Sequence, residues 1–201
     1  MIKSFARMTA VMLLMGAPAT AQDLSPQNQA LIPMAERVLQ RIDAMTADFM
    51  FSNPAGRNTG RLFVDRDGGR MRMEFDPPMN HLVVANGPRV DFIGGDGTVV
   101  NAGTQSTPLA LIFGEDPKLS GDIEVLEIKA KGSDAYFAVR QKARPDDGTV
   151  ILQYDRSAPG WALVGWGMID GEGRYTRTAL SNIRHGADLP DALFIAPKPP
   201  Q

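Results

Sequence analysis

Few side chains in this sequence have the types and the spacing that catalysis or metal binding requires. The 201 residues include no Cys and two His, His81 and His185, which lie far apart in the chain. The lack of Cys excludes disulfides, thiolate zinc sites, Fe–S clusters and a Cys nucleophile. The acidic residues fall mostly in Gly-containing turns, where Asp is favoured by the turn itself, so no pair of glycosidase-type carboxylates stands out. We therefore expect no enzyme, no metal site and no cofactor.

Two Gly-containing segments lack the spacing of known ligand-binding loops. Residues 94–97, Gly-Gly-Asp-Gly, have neither the spacing nor the strand-to-helix context of a phosphate loop. In residues 65–68, Asp-Arg-Asp-Gly, the Gly comes too early for a calcium loop and no Glu closes it. The net charge of −2 gives no reason to expect a nucleic-acid partner, because such proteins present a basic surface.

One arginine falls on an apolar strand face. Residues 60–66 alternate between apolar and polar side chains, and this places Arg66 on the same face as Leu62 and Val64. An arginine on an apolar face is costly unless its donors find partners. Two interpretations remain open. In the first, Arg66 has no special role, because its side chain extends to the sheet edge or because the predicted alternation is wrong by one residue. In the second, its donors make a contact that is satisfied when a site is shut and released when the site opens.

The apolar side chains of the strands are rich in Met and Phe, and they gather on one predicted face. Met is flexible and fills irregular space, so it is frequent at adaptable binding surfaces. The pattern fits either a loosely specified core or the wall of a cavity. The residues that we predict for this face are Phe49, Phe51, Leu62, Val64, Met71, Met73, Phe75, Leu82, Val84, Val90 and Phe92.

The first 21 residues have the pattern of a secretory signal peptide. Lys3 and Arg7 precede an uncharged apolar stretch, residues 8–16. Small residues on both sides of Thr20 then predict a cleavage site immediately before Gln22. The apolar stretch is too short to span a bilayer, which disfavours a membrane helix. We expect residues 22–201 to form one soluble, exported domain that is monomeric. Without Cys, this domain carries no lipid anchor.

Two helical segments and a series of short strands follow. Ser25 and Pro26 start an amphipathic helix over residues 26–47, and a short helix over residues 107–114 is apolar nearly all round. The apolar positions of the two helices are Leu31, Met34, Val38, Ile42, Met45, Leu109, Leu111 and Ile112. About ten or eleven strands at regular spacing predict one antiparallel sheet, and the two helices must cover one face of it.

The succession of motifs resembles the periplasmic outer-membrane lipoprotein carrier (LolA) family. No single motif is specific, but together they span nearly all of residues 22–201 in order. The segments that carry the resemblance are GRLFVDR at 60–66, GGRMRMEFDPP at 68–78, LVVANG at 82–87, TPLALIFG at 107–114, DGEG at 170–173 with TALSNI at 178–183, and LFIAP at 193–197.

The resemblance implies an incomplete antiparallel β-barrel whose concave apolar face is covered by helices. It implies a carrier that takes lipoproteins from an ATP-driven transporter at the inner membrane, shields their acyl chains and delivers them to an outer-membrane receptor. Arg66 would hold the lid helices in the closed form, and Met71 and Met73 stand where the family has aromatic residues. Asp67 replaces the usual Pro and the turn has an extra Gly.

Two other functions stay open at this point. The same fold could carry or sense another envelope lipid. An enzyme that acts on an envelope lipid or glycan is the alternative from another class, although no residue constellation supports it.

Overall fold

A computed structural model describes residues 24–103, 109–114, 116–157 and 160–197. The predicted signal peptide lies outside the described residues, as do Thr107 and Pro108 at the predicted start of the second helix. No helix of the described part is long and apolar enough to cross a membrane.

Eleven antiparallel strands form one open sheet, in the order β6-β5-β4-β3-β2-β1-β11-β10-β9-β8-β7. This confirms the prediction of a mainly β fold with ten or eleven strands in an incomplete barrel. The strands are β1 Ala44–Asn53, β2 Gly56–Asp65, β3 Arg70–Phe75, β4 Leu82–Asn86, β5 Arg89–Ile93, β6 Val99–Gly103, β7 Ile123–Lys131, β8 Asp134–Gln141, β9 Thr149–Asp155, β10 Ala162–Ile169 and β11 Tyr175–His185.

The sheet is strongly curved around its apolar face. A single buried cluster contains Val90 of β5 and Phe137 of β8, although these strands lie near opposite edges of the sheet. Ala35, Val38 and Leu39 of the helical segment belong to the same cluster. The concave face of the sheet and the helices that lie on it therefore share one core.

Within the described residues, three short α-helices replace the two helices that the sequence predicts: α1 Pro26–Gln29, α2 Ile32–Gln40 and α3 Leu109–Phe113. The single helix predicted over residues 26–47 is wrong at both its middle and its end. Pro33 lacks an N–H, and in a continuous helix its ring would clash with the carbonyl four residues earlier. That carbonyl belongs to Gln29, the last residue of α1. Pro33 then suits the first turn of α2.

Met45 lies in β1 and not in a helix, which corrects its assignment to the lid. It pairs with Val64 of β2 and with His185 of β11. Its spacing from Ile42 fits a helix, but its spacing from Phe49 fits a strand equally well. Strand pairing on both sides decides between the two patterns.

The convex side of β3 and β4 carries the C-terminal end of the described chain. A 3₁₀ turn, Asp191–Phe194, lies there. Arg70 forms ion pairs with Asp65 and Asp191, and its guanidinium carbon lies 4.8 Å from the centroid of the Phe194 ring. Phe194 is 1% exposed, so this turn has a small core of its own.

Candidate functional site

The concave face brings together most of the residues predicted to line a cavity. Phe49, Leu62, Val64, Met71, Met73 and Val90 are all buried there. Phe51 and Phe75 are half-buried and pack against the same cluster. Phe92 points to the same side but is 36% exposed, because β5 lies next to the β6 edge.

Leu82 and Val84 lie on the convex face, which corrects their assignment to the cavity. Directly paired residues of antiparallel strands share a face, and Met73 pairs with Val83 whereas Arg72 pairs with Val84. Val83 and Ala85 are therefore the concave residues of β4. Residues 82–85 are all apolar, so no alternation of apolar and polar side chains shows which of them face the concave side. Val84 is still buried, because β4 contacts the C-terminal 3₁₀ turn.

Phe49, Phe51 and Phe75 form a cluster of rings where neighbouring strands approach closely. The ring centroids of Phe49 and Phe75 are 4.9 Å apart, and those of Phe51 and Phe75 are 5.6 Å apart, both in edge-to-face geometry. Gly60 pairs with both Phe49 and Phe75. A Cβ at Gly60 would come within 2.6 Å of the Phe49 ring, so only Gly leaves room for that ring.

Arg66 is 6% exposed and its guanidinium lies between the ends of two helices. Nε donates to the Ile42 carbonyl at 2.6 Å and Nη2 donates to the Leu39 carbonyl at 2.7 Å. Nη2 also donates to the Ile112 carbonyl at 3.3 Å, and Nη1 donates to the Gly114 carbonyl. We call this set of contacts the Arg66 clamp, and α2 and α3 the lid helices.

The clamp uses carbonyls at and just beyond the ends of the two helices, and one of them, the Leu39 carbonyl, also accepts the N–H of Ile42 at 3.2 Å. The last carbonyls of a helix have no intrahelical donor and carry a partial negative charge. Arg66 supplies donors to both lid helices at this end. Burial lowers the pKa of the Arg66 guanidinium, and the negative charges of Asp43 and Asp67 act against that lowering. An arginine stays charged under these conditions, so the clamp is a buried cation held by neutral acceptors.

The predicted lid residues mostly lie where the sequence placed them. Val38, Ile42, Leu111 and Ile112 are buried against the sheet, although Ile42 follows α2. Leu31 and Met34 are half-buried at and near the start of α2. The side chain of Leu109 lies outside the described part of the structure.

The other half of the sheet contributes aromatic side chains that were not predicted from the sequence. Phe137, Tyr154 and Trp161 form a cluster with ring centroids 5.4 to 6.4 Å apart. Trp166 of β10 packs edge-to-face on Phe113 of α3, with centroids 5.5 Å apart. The alternation of β8 and β9 could have shown that Phe137 and Tyr154 lie on the concave face. Burial raises the pKa of Tyr154 well above its usual value, as does the charge of Glu36.

A cavity of about 270 Å³ remains between the lid and the sheet. It lies where α2 ends and where β1, β10 and β11 meet. Its lining consists of Val38, Arg41, Ile42, Met45, Trp161, Ala162, Leu163 and His185. Apolar side chains dominate this lining, and the described residues form no cluster of three or more His or acidic side chains able to bind a metal.

An open, curved antiparallel sheet whose apolar face is covered by helices defines the class of LolA-like proteins. The model of the family described as outer membrane lipoprotein carrier protein LolA matches residues 40–196. The chain belongs to this family. Its members are periplasmic carrier or binding proteins and not enzymes.

Solved structures with low sequence identity are similar to this chain. An uncharacterized conserved protein from Thermus thermophilus is 12% identical, with a TM-score of 0.50, over 86% of this chain and 95% of its own. The LolA superfamily protein NE2245 from Nitrosomonas europaea is 11% identical, with a TM-score of 0.48, over 84% and 97%. The Pseudomonas aeruginosa MucA/MucB complex matches at 16% identity, with a TM-score of 0.46, over 84% and 61%. No curated protein matches the sequence.

Proposed function

We propose that this protein is a periplasmic carrier that binds the acyl chains of outer-membrane lipoproteins between its sheet and its lid helices. It would receive lipoproteins from an ATP-driven transporter at the inner membrane and pass them to a receptor at the outer membrane. Family membership supports the carrier role. The observation that carries the proposal is the Arg66 clamp, which ties both lid helices to the apolar concave face.

The energetics of acyl binding explain why such a carrier needs a clamp. Burying one CH₂ group yields about 0.8 kcal/mol. Two or three chains of roughly 16 carbons would yield tens of kcal/mol, which exceeds any reversible affinity. A carrier must release its cargo, so part of this energy has to be offset. Breaking the bonds of a buried guanidinium whenever the lid opens is one such cost.

Transfer of a lipoprotein tests the proposal directly. We expect the purified chain to extract a triacylated lipoprotein from proteoliposomes that contain the transporter, and to deliver it to receptor-bearing vesicles. Arg66→Leu should still extract cargo but should slow its delivery or the return to the empty state by about tenfold or more, since no clamp favours closure. Arg61→Leu is a matched control, because Arg61 lies on the convex face of β2 and its side chain is 67% exposed. Wild-type transfer by Arg66→Leu would reject the role of the clamp.

A charge on the concave face tests where the acyl chains lie. Met73 is 5% exposed and lies under the lid. Met73→Glu should reduce the amount of extracted lipoprotein by about tenfold, because a carboxylate in an apolar cavity is costly to bury. Met50→Glu on the convex face is the control, since Met50 is 40% exposed. Equal extraction by both variants would mean that Met73 does not contact cargo.

The size of the cavity favours a second candidate, a carrier or sensor of another envelope lipid. An apolar cavity of about 150 Å³ accommodates benzene, so about 270 Å³ accommodates roughly eleven carbon atoms. This is one short acyl segment, not three long chains. Native mass spectrometry of the protein purified from periplasm separates the two candidates. A bound triacylated lipoprotein supports the first, and a bound free lipid supports the second.

A further inference from the structure

The cavity between the end of α2 and strands β1, β10 and β11 has a polar rim. Two of its eight lining residues, Arg41 and His185, are polar, and both side chains are exposed at its mouth. No acidic side chain contributes to the lining among the described residues. A guanidinium and an imidazole at the mouth of an apolar pocket have the chemistry that a negatively charged head group requires.

Neither of these two side chains stabilises the fold through polar contacts. Within the described part of the chain, Arg41 and His185 make no side-chain hydrogen bond or ion pair, whereas Arg66, Arg70 and Arg72 all do. Arg41 lies at the C-terminal cap of α2, and His185 pairs with Met45 at the end of β11. Both positions are thus held by regular structure while their donors remain available.

Gly160 leaves space for Arg41 at the mouth. A Cβ at Gly160 would lie 3.2 Å from Nη1 of Arg41, so a side chain at this position would crowd the guanidinium. Trp161 follows with a φ of +53°, a left-handed conformation that is an outlier for a bulky side chain. Such conformations persist where the surroundings hold them, and they gather at ligand-binding sites.

The ring of Trp161 forms the wall between the rim and the apolar interior. It packs against Tyr154, with ring centroids 6.0 Å apart, and the guanidinium carbon of Arg156 lies 5.8 Å from its centroid. A second guanidinium therefore lies beside the Trp161 ring, although Arg156 does not line the cavity itself. An acyl chain that enters past Trp161 would leave its head group beside Arg41 and His185.

We propose that this cavity is a binding site for a single-chain anionic amphiphile, with the chain inside and the head group on Arg41 and His185. The anionic group can be the carboxylate of a fatty acid or the phosphate of a lysophospholipid. The inference rests on the proposed function only in that the concave side takes acyl chains. It adds a ligand class and a head-group subsite to that function.

Calorimetric titration with twelve-carbon probes below micelle formation tests the site. The probes are dodecanoate, dodecyl phosphate and dodecyl maltoside, which share one chain length and differ in head group. We expect wild type to bind an anionic probe about tenfold more tightly than the maltoside. The tighter of the two anionic probes identifies the source of the head group.

Variants of the two rim residues locate the subsite. Arg41→Gln and His185→Gln should each weaken binding of the anionic probes by about three- to tenfold and leave dodecyl maltoside unchanged. Arg184→Gln is the matched control, because Arg184 is the exposed neighbour of His185 and pairs with Thr46, next to Met45, so it lies on the other face of the sheet. Thermal unfolding of each variant checks that the fold is retained.

Two NMR signals place the probe. The chain has two Trp, and Trp166→Phe assigns their indole N–H signals. We expect dodecanoate to shift the signal of Trp161 and not that of Trp166. A change at Trp166 alone would put the ligand elsewhere and overturn the proposal.

The outcomes separate this inference from the carrier function. Equal affinity for dodecanoate and dodecyl maltoside, or an equal loss in Arg184→Gln and Arg41→Gln, rejects the head-group subsite but leaves acyl binding intact. No binding of any twelve-carbon probe, together with successful lipoprotein extraction, also rejects the site while the carrier function stands. Failure of both binding and extraction rejects the two proposals together.

Discussion

Two arginines lie on opposite sides of the β2–β3 hairpin and are held in opposite ways. Arg66 lies on the concave side and donates only to backbone carbonyls of the lid helices and their ends. Arg70 lies on the convex side, where its Nε donates to Asp65 at 3.0 Å and Nη1 donates to Asp191 at 2.6 Å. One cation is buried among neutral acceptors, and the other is neutralised by two carboxylates.

The pKa values of the two arginines also shift in opposite directions. Burial lowers the pKa of Arg66, whereas hydrogen bonds to Asp191 and Asp65 raise the pKa of Arg70. Water can replace neutral carbonyls around a guanidinium without separating opposite charges. The concave network is therefore suited to opening, and the convex network is suited to a contact that stays closed.

The largest expected effect is on the lid. Arg66→Leu leaves the carbonyls of Leu39, Ile42, Ile112 and Gly114 without this donor, at about 1–3 kcal/mol for each one that remains buried. The lid helices avoid this cost by moving away from the sheet, so that water can donate hydrogen bonds to these carbonyls. We expect hydrogen exchange to show about 100-fold less protection in α2 and α3 and unchanged protection in the sheet.

A second variant at the same position sharpens this result. Arg66→Lys keeps the charge, but one ammonium cannot reach acceptors from both lid helices as a planar guanidinium does. Its protection factors in α2 and α3 should fall between those of wild type and Arg66→Leu. An equal loss of protection throughout the sheet in both variants would show that Arg66 supports the whole fold and not the lid.

Removing the convex arginine should have a smaller effect, and a different one. Arg70→Gln loses both ion pairs and the contact with the Phe194 ring, which together contribute about 1–2 kcal/mol. Urea unfolding should show this loss of stability. Exchange in α2 and α3 should match wild type, and a loss of lid protection here would break the distinction between the two faces.

The smallest effect is the dependence of stability on pH. Burial alone would raise the pKa of Asp65, but hydrogen bonds from Arg70 and from the Gly68 N–H outweigh it and hold the pKa below its usual value. A depressed carboxyl pKa stabilises the fold above about pH 3.9 and loses this effect as the pH falls through the folded-state value. Thermal unfolding from pH 6 to pH 2 should therefore be flatter for Asp65→Asn than for wild type. The protection factors of the lid amides, which are corrected for the intrinsic effect of pH on exchange, should not change between pH 5 and pH 9, because Arg66 stays charged.

The sequence predicted the placement of Arg66 because the alternation of Leu62 and Val64 is unambiguous in β2. It failed at Met45, where helical and strand spacing coincide, and at Leu82 and Val84, where an unbroken apolar run hides the phase. The partners of the clamp could not be predicted. They are carbonyls 24 to 48 residues away from Arg66, and their positions depend on where two helices end.

The cavity was beyond the reach of local patterns for a similar reason. Arg41, Trp161 and His185 come from three distant segments, the end of α2, the residue before β10 and the end of β11, and only the tertiary structure brings them together. The position of Trp161 depends further on a backbone conformation that its residue type disfavours. Composition and periodicity predict which face is apolar, but they do not predict where that face leaves space.

The order of the strands places α3 in the connection between the two outer edges of the sheet. The two halves of the sheet are consecutive meanders, β1–β6 and β7–β11, that join in the middle through the β1–β11 pair. The chain between Gly103 and Ile123 thus connects the two outer edges, β6 and β7, and α3 is part of it. Arg66 donates to the carbonyls of Ile112 and Gly114, at and just after the end of α3. The clamp therefore bonds this edge-to-edge connection to the end of β2, which lies next to the β1–β11 pair in the middle of the sheet.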